Sequence, residues 1–284
     1  MSDAEIEQLE PVLASCRERW TADGDTARRL FHGRGHFYPG LEDLVVDRFG
    51  SVLLVACFGD NTARARRLAL LLRETLAGVS GIAVQQRQGR GTSAEVVWGE
   101  VAEELVVEEA GLKYLVQPLR NQNVGLFLDM APTRRWLQTA AEGKRVLNLF
   151  SFTCAFSVAA LAGGAIRVVN NDMSKPALDW GARNHELNGH DLRLVRMLPH
   201  NMFKSWGRIR EYGPYDIVII DPPTNQRGSF NAEKQYGQVL KRLPEFTAPG
   251  ATILACLNSP FLNTDFLPGQ MARWCPRATL VETM

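Results

Sequence analysis

The sequence predicts an α/β protein in which a parallel sheet, covered by helices on both faces, fills the C-terminal half behind a small α+β subdomain. From Lys144 onward, near-continuous apolar runs alternate with helical patterns, as expected for strands buried on both faces. Between about residues 40 and 120, strand patterns surround one amphipathic helix. The length of 284 residues suggests two domains, or one with a large extension, at about 150 residues per domain.

The N-terminal third divides into a helix and a connector. Apolar residues at mixed three- and four-residue spacing, among them Leu9 and Leu13, predict a helix from residue 1 to about residue 31. The turn-rich segment HGRGHFYPG, residues 32–40, predicts a connector. We therefore expect a helical extension over residues 1–39.

The α+β subdomain is expected over residues 40–122. Apolar runs on either side of residues 47–51 predict a β-hairpin. The segment TARARRLALLLRETL predicts an amphipathic helix that opens with a cap at Thr62. Further strand patterns follow in GIAVQQR, AEVVWGE and LVVEEAGLKYLV.

The third region, residues 123–284, alternates strands and helices. The predicted strands are RVLNLF, AIRVVNND, LRLVRML, YDIVIID and GATILACLN. The helix FSVAALAGG closes at Gly163 and Gly164, and KPALDWGARNHELNG ends at Asn188-Gly189, where a left-handed cap is natural. In such sheets ligands lie outside the carboxyl ends of the strands, so the site is sought there.

Composition narrows the class of protein. The acidic start and the lack of any apolar run near the ~20 residues of a membrane span predict neither a signal peptide nor a membrane anchor. Five scattered cysteines without a CxxC pair favour reduced, cytoplasmic thiols over disulfides or a metal site. With a net charge of +1, any nucleic-acid contact is expected to be local.

The turn after the first strand, SFTCAFSV, contains no glycine. A dinucleotide site would need G-x-G-x-x-G for the approach to a pyrophosphate, and a P-loop is also absent. A nucleotide without phosphates, such as S-adenosylmethionine (SAM), remains compatible. Its sulfonium, amino and carboxylate groups would be met by small residues, hydroxyls and backbone amides at Ser151, Thr153, Cys154 and Ala155.

Polar residues follow the second and third strands. Asp172 is placed to accept both ribose hydroxyls of a nucleotide. The alternative is that Asp172 only caps the next helix, a task for which Ser174 competes. At the third strand end, Asn201 is expected to contact an adenine amino group.

The fourth strand ends in Asp221-Pro222-Pro223-Thr224. Two prolines remove two backbone donors and stiffen the turn, so that Asp221 and the preceding carbonyls point outward in a fixed way. This segment predicts a platform for a planar base, the alternative being a loop that merely ends a strand.

Four ordered segments, GLFLDMAPTRRWL, NLFSFT, NNDMSKPALDWGARNHELNG and IIDPPT, resemble the SAM-dependent methyltransferases of bacterial large-subunit ribosomal RNA. That family has guanine-N7 and cytosine-C5 members, and the resemblance covers roughly residues 40–262. It implies a Rossmann-like class I methyltransferase domain, SAM as cofactor and RNA as partner. The predicted cofactor-binding residues are Phe127, Asp129, Arg134, Asn148, Phe150, Ser151, Thr153, Cys154, Ala155, Asp172, Met173, Asn201 and Asp221.

The sequence departs from the family pattern at several points. The family often has glycine at the position of Cys154, and Met130 and Ala131 replace a polar pair after Asp129, which is expected to affect the substrate. An N-terminal RNA-binding module of some members has no counterpart here. With about six strands counted, the usual seventh strand is missing, so a truncated C-terminus is expected.

The acceptor atom follows from the chemistry of the base. Cytosine C5 needs a cysteine thiolate to add at C6 first, whereas guanine N7 has a free lone pair and needs only positioning. The register puts Asn258 at the fifth strand end and Cys256 two residues earlier, with Thr224 where other cytosine enzymes carry cysteine. We therefore favour non-covalent transfer to guanine N7 and leave exocyclic amines and cytosine C5 open. The predicted catalytic residues are Asp221, Pro222, Pro223, Thr224 and Asn258.

Several arginines are candidates for contact with RNA phosphates. Arg227, close behind Thr224, is the predicted substrate-binding residue. Other candidates lie on one helix or in Gly-containing loops: Arg64, Arg66, Arg67, Arg73, Arg87 and Arg90. For the arginines on the helix, a solvated helix face is the default explanation. An enzyme acting on a small molecule or protein, and a non-catalytic binding protein, remain alternatives.

Overall fold

The computed structural model describes residues 3–21, 26–35, 37–88, 91–223, 225–226, 230–259 and 262–283. The chain folds into two compact units, residues 1–131 and 132–284. The division at residues 39 and 122 stays a prediction. Within the described residues, no helix combines the length and apolar character needed to span a bilayer.

The first unit is built around one mixed sheet. Its elements are α1 (Asp3–Arg19), β1 (Ala27–His32), β2 (Leu44–Phe49), β3 (Val52–Phe58), α2 (Thr62–Thr75), β4 (Gly81–Gln88), β5 (Gly91–Gly99), β6 (Leu105–Glu109) and β7 (Leu112–Val116). The sheet has the order β1-β2-β3-β4-β5 and is antiparallel except between β3 and β4, while β6 and β7 form a separate hairpin.

Apolar periodicity explains how this unit packs. Ala65, Leu68 and Leu72 lie on one face of α2 and are buried in the same core as the strands. Leu9 and Val12 of α1 belong to that core as well. The predicted hairpin is confirmed: β2 and β3 pair antiparallel through Gly50, whose φ of 69° suits a tight turn.

Two predictions for this unit are wrong. The first helix ends at Arg19, and Ala27–His32 form a strand rather than the end of that helix. The sequence ARRLFH has little strand preference of its own, and its pairing with β2 overrides its helix propensity. The helix α2 is capped by Asn61, which accepts a 3.2 Å hydrogen bond from the backbone N–H of Arg64, and not by Thr62.

The second unit contains the parallel sheet. Its elements are α3 (Ala131–Ala140), β8 (Arg145–Leu149), α4 (Ala155–Ala162), β9 (Arg167–Asn171), α5 (Lys175–Leu187), β10 (Val195–Leu198), α6 (Trp206–Glu211), β11 (Tyr215–Ile220), β12 (Asn225–Gln226), β13 (Phe230–Asn231), α7 (Ala232–Arg242), β14 (Thr247–Ala255) and α8 (Phe266–Trp274). The sheet order is β10-β9-β8-β11-β14, and every pairing in it is parallel.

The predicted Rossmann-like α/β fold is confirmed. Helix α5 ends before Gly189, whose φ of 66° is the expected left-handed cap. The segment LRLVRML differs from the prediction because Leu192–Leu194 form a 3-10 turn before β10 begins. In the described part of this unit the parallel sheet has five strands instead of about six, with β12 and β13 forming a separate short ribbon.

Candidate functional site

The carboxyl ends of the parallel strands stop level with one another. The register pairs Leu149 of β8 with Asn171 of β9 and with Ile220 of β11, and it pairs Ile220 with Ala255 of β14. The chain runs outward from β8 to β9 and β10 and then returns to β11 on the other side of β8. Because ligands of such sheets bind where the strand order reverses, the candidate site lies where the loops after β8, β9 and β11 begin.

The loop after β8 has a backbone that is unusual for its residues. Phe150, Phe152 and Cys154 have φ values of 58°, 45° and 62°, in the left-handed region that favours glycine. A non-glycine residue in this conformation lowers the free energy of unfolding by about 1–2 kcal/mol. Clusters of such residues are typical of functional loops. The loop therefore takes the path of a glycine-rich turn without containing glycine.

Neighbouring elements hold this loop in place. The backbone N–H of Ser151 donates to the carbonyl of Asn171 over 3.1 Å, and the side-chain amide of Asn184 donates to the carbonyl of Thr153 over 2.9 Å. Cys154 is fully buried, and burial raises the pKa of its thiol, so it stays neutral. Asn184 thus supports the backbone of the loop and Cys154 packs beneath it, and α4 begins directly after Cys154 at Ala155.

Asp172 joins the loops that follow β8 and β9. Its Oδ2 accepts a 2.9 Å hydrogen bond from the backbone N–H of Phe152, and its Oδ1 accepts one of 2.8 Å from the N–H of Ser174. The cap of α5 is Ser174, whose hydroxyl accepts from the N–H of Ala177. The half-buried carboxylate of Asp172 therefore braces the loop after β8, and each oxygen has a second lone pair for a ligand.

A chain of buried polar side chains runs beneath the site. Asn148 of β8 donates through Nδ2 to Oδ1 of Asn170 over 3.0 Å, and Asn170 donates to Oγ of Ser157 over 2.9 Å. The same hydroxyl lies 2.8 Å from Nε2 of His185, whose Nδ1 lies 3.0 Å from Nδ1 of His190. Sequence reasoning singled out only Asn148, because periodicity carries no information about which strand residues face each other.

Two buried polar atoms at the strand end have no hydrogen-bond partner among the described residues: Oδ1 of Asn148 and Oγ of Ser151. Leaving such an atom unpaired costs about 1–3 kcal/mol, so a ligand that supplies the missing bonds would be stabilised there. An adenosyl ligand without phosphates offers hydroxyl and ammonium donors. It fits these atoms and the carboxylate of Asp172, whereas the loop lacks the glycines of a pyrophosphate cradle.

The end of β11 is held rigidly. Asp221 and Pro223 are half-buried and Pro222 is buried. Behind them the Tyr236 hydroxyl donates to the Cys256 carbonyl over 3.0 Å, with the Ile220 carbonyl at 3.3 Å. Tyr236 was not predicted from the sequence. It is an aromatic residue on an amphipathic helix, and that pattern does not indicate that its hydroxyl contacts carbonyl groups at the ends of two strands.

The remaining strand ends present polar residues. Asn201 accepts a 3.0 Å hydrogen bond from the N–H of Phe203 and so caps a 3-10 turn, which uses its oxygen and leaves its amide protons for another partner. Asn258 is exposed beyond β14, and Cys256 is half-buried. Phe150 packs edge-on to Phe230 with ring centroids 4.9 Å apart.

The other predicted site residues divide between the two units. Phe127 and Asp129 are exposed in the first unit, and Arg134 is buried in α3 of the second. Met173 is 49% exposed beside Asp172. Thr224 and Arg227 lie outside the described residues.

Comparison with known proteins agrees with this geometry. A protein named ribosomal RNA large subunit methyltransferase I from Aeromonas salmonicida is 32% identical over 226 residues, which cover 76% of this chain and 57% of the relative. The protein of that name from Salmonella paratyphi B is 30% identical over 259 residues, 87% of this chain and 64% of the relative. The chain thus spans roughly three-fifths of the length of these curated relatives.

Solved structures extend the similarity. The crystal structure of SMU.776 complexed with S-adenosylhomocysteine (SAH) has a TM-score of 0.83 and 25% identity, covering 95% of this chain and 71% of that one. A SAM-dependent methyltransferase from Agrobacterium tumefaciens shares the fold, with a TM-score of 0.64 and 20% identity over 88% of this chain and 79% of that one. A family model described as S-adenosylmethionine-dependent methyltransferase matches residues 28–284. The chain therefore belongs to the S-adenosylmethionine-dependent methyltransferase family, and its cofactor is SAM.

Proposed function

We propose that this chain methylates a base of large-subunit ribosomal RNA, at N7 of guanine, by direct transfer without a covalent enzyme intermediate. The observation that carries the proposal is the rigid Asp221-Pro222-Pro223 segment at the end of β11, next to the loop after β8. The names of the curated relatives support RNA as the substrate, since they share 30–32% identity with 76–87% of this chain.

Guanine N7 makes few chemical demands on the protein. Its lone pair forms the new N–C bond as the carbon–sulfur bond breaks, no proton leaves the base, and the positive charge passes from sulfur to the purine. Bound SAM supplies the activated methyl group. The residues of the chain then have to hold the base in line with that group, which is an orientation effect.

Six of the predicted site residues have a role in this arrangement. The prolines Pro222 and Pro223 fix the direction of the backbone, and Asp221 accepts hydrogen bonds from the N–H groups of the guanine edge opposite N7. Asn258 contacts the base from the end of β14. Asp172 holds the ribose of the cofactor, and Asn201 contacts its adenine through the amide protons that its capping bond leaves available.

Methylation of cytosine C5 is the alternative, with Cys256 as nucleophile. The backbone of Cys256 is tied to the sheet: its N–H donates to the carbonyl of Ile220 over 2.8 Å and its carbonyl accepts from Tyr236 over 3.0 Å. Its side chain is half-buried, whereas Asn258 is exposed two residues further on. This placement favours positioning by Asn258 over covalent attack by Cys256.

The test combines binding with product analysis. Calorimetry with SAH establishes cofactor binding, and methyl-labelled SAM is then supplied with ribosomal RNA from cells that lack the protein. Nucleosides from the RNA are identified by mass spectrometry. Label in 7-methylguanosine supports the proposal, and 5-methylcytidine supports the alternative. Label found only in protein or small molecules would overturn RNA as substrate, and binding without transfer to any acceptor would indicate a non-catalytic protein.

A further inference from the structure

The guanidinium groups of two arginines lie against one aromatic ring at the end of a strand in the first unit. The guanidinium carbon of Arg34 is 4.0 Å from the ring centroid of Phe58, and that of Arg87 is 5.2 Å from it. Phe58 is the last residue of β3, and Arg87 is its register partner on β4. Contact with the ring restrains both guanidinium groups. The edge of Arg87 already donates through Nε to Gln85 and through Nη2 to Gln122, whereas the edge of Arg34 remains for a ligand.

Arg34 and Arg87 differ from other arginines of the same unit in whether they form an ion pair with a carboxylate. Arg29 is paired with Asp47 at 2.8 Å, Arg64 pairs with Asp43, and Arg66 pairs with Glu95. Arg34 and Arg87 have no carboxylate within ion-pair distance among the described residues. The charges of Arg34 and Arg87 are therefore not neutralised by an ion pair within the part of the chain that the structure describes.

Charged residues of both signs act on Arg87. Burial lowers the pKa of Arg87, and repulsion from Arg29 and Arg34 adds to that effect against the attraction of Asp47. Its Nη2 donates to the carbonyl of Gln122 over 3.1 Å, which holds the side chain in place. An anion bound here would relieve the repulsion between the arginines.

An exposed aromatic residue stands beside Arg34. Phe37 is 84% exposed, although the next residue, Tyr38, packs on Phe31 with ring centroids 4.8 Å apart. The Phe37 ring lies 3.5 Å from the point where a side chain on Gly35 would begin, so it covers that glycine. Tyr38 thus anchors the loop and leaves the Phe37 ring facing solvent, three residues along the chain from Arg34.

We propose that Arg34, Phe37, Phe58 and Arg87 form a binding surface for single-stranded RNA. The proposal rests on RNA being the substrate, and it adds a contact region in the first unit. Unpaired bases stack on aromatic rings and on guanidinium planes, and the edge of Arg34 pairs with a phosphate. A duplex hides the faces of its bases, so the surface selects RNA with unpaired nucleotides.

The test uses the full chain and two exposed positions. Fluorescence anisotropy with a labelled 12-nucleotide single-stranded RNA, and with its duplex, measures affinity for wild type, Arg34→Gln, Phe37→Ala and the double variant. We expect each single change to weaken single-strand binding at least fivefold and the double change at least twentyfold. Arg17→Gln is the matched control, because that exposed arginine of the same unit already pairs with Glu10, and it should leave the affinity unchanged.

Two further measurements separate the possible outcomes. Calorimetry with SAH should give the same affinity for all variants, and ultraviolet crosslinking should attach RNA to the peptide that contains Phe37. A double variant that binds single strands like wild type, while wild type methylates RNA, would reject this surface and leave the proposed function standing. A wild-type chain that binds SAH but neither binds nor methylates RNA would overturn the proposed function and this surface with it.

Discussion

The carboxylate of Asp172, directly after β9, accepts a 2.9 Å hydrogen bond from the backbone N–H of Phe152 in the loop after β8. Phe152 has a φ of 45°, so the bond stabilises a backbone conformation that phenylalanine rarely adopts. The residue proposed to hold the ribose is thus also the residue that shapes the neighbouring loop. Any change at Asp172 is expected to act on both.

Asp172→Ala should weaken SAH binding at least tenfold, which corresponds to about 1.4 kcal/mol. The variant loses both the ribose acceptor and the brace on the loop, and calorimetry measures the affinity. Asp172→Asn keeps one oxygen that can accept from the N–H of Phe152, so it should retain more stability than the alanine variant and still bind SAH weakly. Asp179→Ala removes an exposed carboxylate that pairs with Lys175 and should bind SAH normally. Unchanged affinity in Asp172→Ala would remove this residue from the site.

Gly181→Ala should destabilise the second unit by about 1–3 kcal/mol, as overpacking does in other cores. A methyl group at Gly181 of α5 would overlap the side chain of Cys154, and both positions are buried. Urea unfolding followed by circular dichroism measures the loss.

The pair Cys154→Gly with Gly181→Ala supplies the control for this prediction. Glycine at 154 makes room for the methyl group and accepts the φ of 62° without strain, so the double variant should lose less than the sum of the two single changes. Gly207→Ala, on an exposed helix position with nothing within 4 Å, should be neutral or stabilising by up to about 1 kcal/mol. Additive losses in the double variant would contradict the steric explanation.

The sequence reveals the parallel sheet because its strands are short apolar runs, and it reveals Asp172 and Asp221 because each follows the point where such a run stops. It does not reveal β1, which is a strand only through its pairing with β2. Nor does the sequence reveal the left-handed residues after β8. Phenylalanine and cysteine rarely adopt a positive φ, and it is the surrounding hydrogen bonds that impose this conformation here.

The hydrogen-bonded chain of polar side chains beneath the site could not be predicted from the sequence either. Asn148 and Asn170 bond to each other because β8 and β9 are in register, and Ser157 reaches Asn170 because α4 packs over those strands. Apolar periodicity predicts which face is buried but not which polar residues share it. The orphaned oxygen of Asn148, which supports cofactor binding, depends on that pairing.

The stability of the second unit should fall as the pH drops below 7, in part because of His185. This ring is fully buried, and burial together with the neighbouring His190 lowers its pKa to about 3. Its Nδ1 faces Nδ1 of His190 at 3.0 Å, so one nitrogen carries a proton and the other accepts it, and burial disfavours the charged form of the ring. The neutral form is therefore the one that fits the fold.

The direction of the effect follows from linkage. In the unfolded chain a histidine titrates near 6.5, so the unfolded state binds the proton more readily and the free energy of unfolding decreases from about pH 6.5 toward pH 3. Between pH 7 and pH 5 the expected loss is about 2 kcal/mol. Urea unfolding at both pH values should show a smaller loss in His185→Gln than in wild type. His200→Gln, at an exposed position, should behave as wild type, and equal losses in all three proteins would contradict the assignment to His185.

Asn258 and Cys256 distinguish the two proposed acceptor atoms. If the base is only positioned, Cys256→Ser should leave the rate of methyl transfer within about twofold of wild type, since no covalent bond to sulfur is required. Asn258→Ala should lower kcat about tenfold through loss of orientation, with SAH affinity unchanged. Transfer of label from SAM to ribosomal RNA measures both rates, and calorimetry with SAH confirms that each variant still binds the cofactor.

A mechanism-based trap makes this comparison decisive. Cytosine-C5 enzymes add a thiolate to C6 and later need the C5 proton to leave, which fluorine at C5 prevents, so an enzyme of that kind stays bonded to RNA containing 5-fluorocytosine. Positioning of guanine N7 forms no bond to the protein, and the chain should migrate unmodified in a denaturing gel after incubation with that RNA and SAM. A stable adduct that disappears in Cys256→Ser would refute non-covalent transfer, because the half-buried thiol at the end of β14 would then have reached the base.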